Sequence, residues 1–563
     1  MTAASFFAFR PFFDGTRASG WVFVVVGVAG ILVFPVAVIF AHVFLPAGDV
    51  WGHLARTVLT DYIVNSLLLM LGVAIGTLIG GVGCAWLASM CQFPGRGFFE
   101  WALLLPMALP AYIIAYTYTG LLDFAGPVQG AVRDMTGWGH GDYWFPEIRS
   151  LGGAMLMLSL VLFPYVYLLT RAAFLNQSIC VLDVSRTLGN GPWRTFIAVA
   201  LPLARPAIVA GLSLALMETL ADYGTVQYFG VSTFTTGIFR TWYGMDSAVA
   251  ASQLSAILMV FVMTLIALER VSRKRGRFHH TSQRYQDIRR FRLSGWRAAA
   301  AFVFCFLAVF FGFLLPAGQL IWWSVRIAGD QIDVNFLRLV WNTIRLGAMA
   351  AGMAVVLALL LGYGQRLFAR NPVVKAATDL AGMGYAVPGT VIAVGVMIPF
   401  AWIDNAVDAF MRQAVGVSTG LLLSGTLAAL LFAYMVRFLA VSLQTVNAGL
   451  TQIRPSLDEA ARSLGYSPAE TVRHIHTPML KGSLLTAFLM VFVDVLRELP
   501  ATLILRPFNF NTLAVRAYEM ASDERLAEAA PASLAIVLAG IVPVILLSRS
   551  ITGSRAVNKD IPA

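Results

Sequence analysis

Ser456 to Gly482 reads SLDEAARSLGYSPAETVRHIHTPMLKG, a polar interval in a very apolar chain. It predicts two short helices joined at a glycine. Ser456 is placed to N-cap the first, and Glu459, three residues on, to complete a capping box. Gly465 is the natural C′ residue, free to take positive φ. Ser467 opens the second helix, with Pro468 at N1 and Glu470 closing another capping box. Pro478, which lacks an amide hydrogen, ends it. A solvated loop between membrane helices would show the same spacing, so the surrounding chain has to decide what the stretch is for.

Of 563 residues, 58% are hydrophobic and 12% charged, and the mean hydropathy is +0.76. Soluble chains carry about 25% charged residues, which excludes that class. The net charge of +11 raises nucleic acid as a partner. The basic residues, however, sit in short intervals between apolar runs, as the positive-inside rule demands of a membrane protein. Cys84, Cys91, Cys180 and Cys305 form no CxxC pair and read as small apolar packing residues. There is no HExxH and no GxxxxGK[ST], so neither a zincin helix nor a Walker A nucleotide loop is present, and no Ser/His/Asp set stands out. His474 and His476, inside the opening stretch, read as interface or solvated polar residues.

A membrane span takes about 20 mainly apolar residues. Twelve stretches qualify: 21–43, 64–88, 101–122, 151–174, 197–220 and 251–269, then 298–325, 341–364, 374–400, 418–442, 483–505 and 532–549. The first is too long for a signal-peptide core and reads as a retained span. Between the two sets of six, residues 270–297 carry ten Arg and Lys side chains, from Arg270 to Arg297, with few acids. That places the linker in the cytoplasm. With six spans on each side, both termini and the segments after spans two, four, eight and ten are cytoplasmic too. The opening stretch follows span ten.

The chain also repeats. Asp183 to Gly211 reads DVSRTLGNGPWRTFIAVALPLARPAIVAG and falls, shifted by 276 residues, on Glu459 onward. Arg186 meets Arg462, Leu188 meets Leu464, Gly189 meets Gly465, Pro192 meets Pro468, Thr195 meets Thr471 and Pro202 meets Pro478. Upstream, with small gaps, Asn65 falls near Asn342, Pro94 on Pro372, and Leu109-Pro110-Ala111 on Val387-Pro388-Gly389. Equal orientation of the halves makes this a parallel repeat about an axis along the membrane normal. The expected organisation is a first repeat over 1–269 with a loop at 181–206, the linker 270–297, and a second repeat over 298–563 with its loop at 456–482. Gly72, Gly76 and Gly80 put small residues on one helix face for close packing. Pro106, Pro110 and Pro388 predict kinks or breaks where backbone lines a cavity or is covered by neighbours.

Glu459-Ala460-Ala461, then Gly465, then Ile475 and Pro478, closely resembles the EAA loop of ABC importer permeases. The first copy departs from that pattern, with Asp183-Val184-Ser185 in place of Glu-Ala-Ala, but keeps Gly189 and Pro202. The resemblance implies an all-α polytopic protein of about 12 transmembrane helices in two parallel six-helix repeats, the type I importer (MetI-like) fold. It implies that each loop is a short coupling helix docking a separate ATPase subunit, two copies in all, with ATP and Mg bound by that partner and no cofactor in this chain. Asp183, Arg186, Leu188 and Gly189 would form one docking segment, and Glu459, Ala460, Ala461, Arg462 and Gly465 the other. A periplasmic binding protein would deliver the substrate, and the bilayer of the bacterial inner membrane would be the only other partner, with no nucleic acid. ATP-driven closure of the ATPases would move the coupling helices and switch access across the membrane.

Glu218 to Gly230, ETLADYGTVQYFG, together with Phe234-Thr235-Thr236-Gly237-Ile238, resembles the first half of fused ferric-iron permeases, and Leu496 to Thr502, LRELPAT, resembles the second. These runs favour iron(III) over thiamine, polyamine or sulfate. Glu218 and Asp222 lie four apart at the end of span five, and the repeat offset sets them on Asp494 and Glu498. Carboxylates at membrane depth are costly and face a cavity or a partner, so these four are expected to line the path. Oxygen donors would also suit a hard cation directly, whereas Arg497 offers neutralisation instead. A secondary transporter of six-plus-six type is the competing class and would need no ATPase. A membrane-embedded enzyme lacks a catalytic constellation.

Overall fold

A computed structural model describes residues 17–139, 141–175, 177, 185, 187–189, 191–274, 290–331 and 333–556. Helices carry nearly all of it, because backbone in lipid must satisfy its own hydrogen bonds. Among the described residues ten helices are long and apolar enough to cross a membrane, and twelve spans result if each of two sharply bent pairs counts as one. The ten are Gly20–His42, Leu59–Met90, Leu151–Leu175, Trp193–Ala221, Ala248–Ser272, Trp296–Ile327, Val334–Leu367, Gly389–Val415, Leu427–Gln452 and Leu526–Pro543.

The expected third, ninth and eleventh spans are where the observed helices depart from continuous apolar runs. The third is broken: Arg96–Ala108 and Ala111–Thr136 meet at 91°. The turn falls at Leu109-Pro110, where Leu109 is extended (ψ 118°), because the ring of a following proline disfavours helical backbone. The ninth shifts. Pro372–Ala381 is a separate helix capped by the Asn371 side chain, and the long helix starts only at Gly389, after Pro388. Proline at 388 is the same device as Pro110, as the repeat anticipates. The eleventh is also bent, with Pro468–Met479 and Lys481–Leu496 at 83°.

The chain packs as two compact units, each drawing on both sequence halves. One comprises the described parts of Met1–Ala37, Ala348–Tyr385 and Tyr434–Val491. The other comprises Val38–Gly347, Ala386–Ala433 and the described part of Phe492–Ala563. In the smaller unit, a Cβ on Gly364 would lie 2.4 Å from Val25 Cγ2, so only glycine admits the N-terminal helix here. Trp21 packs edge-on against Tyr363 at 5.9 Å beside it.

In the larger unit the glycine face does what its spacing predicts. A Cβ on Gly72 would sit 2.3 Å from Met155 Sδ, one on Gly76 2.3 Å from Ser159 Oγ, and one on Gly80 3.4 Å from Phe163 Cβ. Both helices advance four residues per contact, the signature of i±4 ridges in register. At one end of this packing Trp86 gathers Phe174, Phe196 and Phe291 at centroid distances of 5.6, 4.8 and 6.0 Å. Two residues of parallel strand, Cys91–Gln92 against Phe291–Arg292, fasten the end of the linker there. Cys84, Cys91 and Cys305 are buried free thiols; Cys180 lies outside the described residues.

Candidate coupling segments and translocation site

The helix within the opening stretch runs Pro455–Ser463 and starts two residues earlier than expected. Arg454 is its N-cap and makes no side-chain cap bond, so the capping box of Ser456 and Glu459 does not form. Pro455 at N1 pre-sets the first turn without it. The exit follows the prediction. Gly465 has φ +82°, its amide donates to the Arg462 carbonyl, and the Tyr466 amide donates to the Ala461 carbonyl, both at 3.0 Å. That pair of bonds is a Schellman motif. The second capping box forms as read: the Ser467 amide donates to Glu470 Oε2 at 2.7 Å and the Glu470 amide to Ser467 Oγ at 3.3 Å. Pro478 does not end this helix, which runs on to Met479. A π turn over Val472–His476 precedes it, and the wider turn absorbs the amide that proline lacks.

What fastens this segment is a set of residues that motif reading passes over. Asp458 Oδ1 lies 2.6 Å from His476 Nε2, and its Oδ2 accepts from Arg366 Nε at 2.8 Å and Nη2 at 2.7 Å. Arg366 also donates to the Leu450 carbonyl and, at 2.8 Å, to that of Ile453. His476 is fully buried, 5.2 Å from the Tyr363 ring. It is therefore neither solvated nor at an interface, contrary to the sequence expectation; His474 is exposed beside Tyr466. With Asp458 turned inward, helical periodicity turns Ala461 inward too, while Glu459, Ala460, Arg462 and Gly465 face out. Leu464, 76% exposed, projects at the tip with Tyr466.

The described residues of the first segment match this architecture at the offset of 276. Leu188 is 75% exposed where Leu464 projects, and Gly189 has φ +78°. Ser185, at the position of Ala461, is buried, with its Oγ 3.1 Å from Thr195 Oγ1. The π turn recurs at Phe196–Ala200, again two residues before a proline, Pro202. The fastening does not recur in sequence, since Leu182 and Ala200 stand where the second copy has Asp458 and His476. Asp183 and Arg186 lie outside the described residues.

The four carboxylates expected to line the path all belong to the larger unit. Asp222 follows the helix Leu201–Ala221 and caps the five-residue helix Gly224–Tyr228. Its oxygens accept from Thr225 N and Val226 N, both at 3.1 Å, and from Thr225 Oγ1 at 3.0 Å. Glu498, 276 residues on, caps Pro500–Leu505 by accepting from Ala501 N at 2.9 Å, Thr502 N at 3.0 Å and Thr502 Oγ1 at 2.5 Å. The two helix breaks touch. A Cβ on Gly224 would lie 2.7 Å from Tyr112 Cβ and 2.9 Å from Leu499 Cδ2. Tyr518 stands edge-on to Tyr112 at 6.5 Å and within 6.1 Å of Tyr223. Asp494 pairs with Arg497 at 2.5 Å, and Arg497 also donates to the Met107 carbonyl at 3.0 Å. Glu218 is half-buried one turn before Asp222. Among the described residues no group of three His, Cys, Asp or Glu side chains is placed to hold a metal ion.

Each half thus contributes an exposed segment with a left-handed glycine and a carboxylate-capped helix break at corresponding positions. A family model for the binding-protein-dependent transport system inner membrane component matches twice, over residues 72–271 and 353–556. The chain belongs to this family. It is a transport subunit, a multi-pass inner-membrane permease with the family module in each half. The permease is 27% identical over 530 residues to the Fe(3+)-transport system permease protein FbpB 2 of Haemophilus influenzae, covering 92% of this chain and 96% of the relative. It is 23% identical over 505 residues to the putative ferric transport system permease protein FbpB 1 of the same organism, 84% of this chain and 75% of that one. The molybdenum transport system permease protein ModB of Escherichia coli is 28% identical over 206 residues, 35% of this chain and 87% of ModB.

Proposed function

We propose that this permease carries ferric iron inward across the bacterial inner membrane, energised by two separate ATPase subunits and supplied by a periplasmic binding protein. The similarity to FbpB 2 along 92% of the chain carries the substrate assignment. The recurrence of the outward leucine and left-handed glycine at Leu188-Gly189 and Leu464-Gly465 supports two docking sites. Asp183 and Arg186 complete the first, and Glu459, Ala460, Ala461 and Arg462 the second. Both termini and the linker lie in the cytoplasm, following the charge of residues 270–297. The chain needs no cofactor; ATP and Mg bind to the ATPases. Glu218, Asp222, Asp494 and Glu498 border the path. Because Asp222 and Glu498 are committed to helix caps and Asp494 to Arg497, they shape the path rather than chelate the cargo. The test is uptake of radiolabelled iron(III) into proteoliposomes holding the complete complex and its binding protein. Iron uptake that needs ATP and resists excess molybdate, thiamine and polyamine is expected. Uptake of one of those solutes in its place refutes the assignment.

A further inference from the structure

Where the helix Val334–Leu367 begins, the larger unit holds a polar cavity of about 650 Å³. That volume lies within the roughly 300–1,000 Å³ of small-ligand sites. Arg338, Asn342, Asn509, Asn511 and Arg516 supply its polar wall. Other polar groups in this region are already engaged. Arg506 pairs with Glu519 at 2.7 Å and donates to Asn511. Asp333, at the cavity edge, accepts from the Phe336 amide at 2.8 Å and the Asn335 side chain at 2.9 Å, and so caps the helix start. Among the described residues no carboxylate pairs with Arg338 or Arg516. A second helix, Leu513–Ser522, also begins here, and its first amide donates to Thr343 Oγ1 at 2.9 Å, fixing the two starts together. The cavity therefore combines two guanidiniums without a carboxylate partner and several amide side chains, with one carboxylate, Asp333, at its edge.

We propose that this cavity binds an anionic, oxygen-rich ligand. Guanidinium groups match oxyanions and carboxylates with paired, charge-assisted hydrogen bonds, whereas a bare trivalent cation would meet two guanidiniums against the single carboxylate of Asp333. Resting on the iron-import reading, and on the linker being cytoplasmic, the cavity opens on the outer side and receives iron as a complex of net negative charge. A free oxyanion presents the same chemistry.

The experiment is equilibrium binding to the full chain in lipid nanodiscs, without ATPase, so its outcome is independent of uptake. The probes are molybdate, phosphate, citrate and iron(III)–citrate, with spermidine as the cationic control. Saturable binding of at least one anion, and none of spermidine, is expected. Arg338→Gln and Arg516→Gln should each weaken it about tenfold or more, while Arg412→Gln should not, with melting profiles confirming that every variant is folded. Binding of iron(III)–citrate alone identifies the metal complex as ligand, and binding of molybdate or phosphate identifies a free oxyanion. No saturable anion binding, or binding indifferent to both substitutions in folded protein, overturns the proposal. It is equally overturned if the substitutions abolish capture of the binding protein but leave anion binding intact.

Discussion

Replacing Asp458 with alanine removes the single carboxylate that joins Arg366 to His476. The Arg366 and Asp458 side chains are 17% and 14% exposed, and that of His476 is 1% exposed. Breaking a fully buried ion pair costs about 3–5 kcal/mol. Here the partial exposure and the carbonyls of Leu450 and Ile453, which still receive Arg366, reduce that part to about 2 kcal/mol. His476 loses a hydrogen bond in a closed site, about 1 kcal/mol more. The sum, about 3 kcal/mol, corresponds to a local opening constant about 100-fold larger. Amide hydrogen exchange of peptides from Pro455–Ser463 and Val472–His476, followed by mass spectrometry, reads this directly. Exchange should accelerate about 100-fold there and little around Phe196–Ala200, where the sequence lacks the network. Asp458→Asn, which keeps the shape and one acceptor, should fall between. Exchange in Asp458→Ala within about threefold of the unmodified protein would show that the segment is held by packing alone, and would refute the reasoning.

Gly465→Ala and Gly189→Ala should each cost about 1–2 kcal/mol from left-handed backbone, since neither added Cβ meets an atom within 4 Å. ATPase co-purification should drop for both, and unchanged co-purification and uptake would count against docking at these tips. Glu498→Gln and Asp222→Asn each exchange a charged cap for a neutral one and should lower thermal stability by about 1 kcal/mol. A double variant that folds, retains its ATPase and transports at the normal rate removes these residues from the path. Gly76→Leu should disrupt packing against Ser159, whose Oγ would lie 2.3 Å from any Cβ, while Gly80→Ala should be tolerated; melting temperature distinguishes them. Arg149 donates to both oxygens of Glu524, at 2.7 and 2.8 Å, and holds its carboxyl below the usual range. The folded pKa is the lower one, so the pair's contribution is full above the ordinary carboxylate pKa of about 4.3 and is lost as pH falls through the folded value. Glu524 is 60% exposed, so the difference from Glu524→Gln in a pH series of melting curves should stay below about 1 kcal/mol.

Much of the site was legible because it depends on local backbone chemistry. Glycine at 189 and 465 takes positive φ from its own lack of a side chain. Ser467 and Glu470 cap each other across three residues. Pro110 and Pro388 break helices without help from distant neighbours. The misreadings share a cause. Ser456 has the composition of a cap, but Pro455 beside it starts the helix first. His476 sits in a polar segment, and nothing in that segment tells that Arg366, 110 positions earlier, folds back to bury it with Asp458. Apolar runs do not show their ends, so the ninth span, expected over 374–400 and thus across Pro388, is found as a long helix that begins only at Gly389.

The sequence by itself determined the membrane class, the duplication, the two glycine-hinged segments and the matching positions of Asp222 and Glu498, because hydropathy, periodicity and backbone propensity are properties of short windows. Tertiary structure decided what those positions do. Gly224 against Leu499 brings the two breaks into contact, and both carboxylates then serve the short helices that follow. Asp458 becomes a fastening rather than an exposed neighbour of the motif, and Arg338 and Arg516 come to share one cavity across 178 positions of chain. Which charges find partners depends on where separate helices end in space, and no local pattern records that.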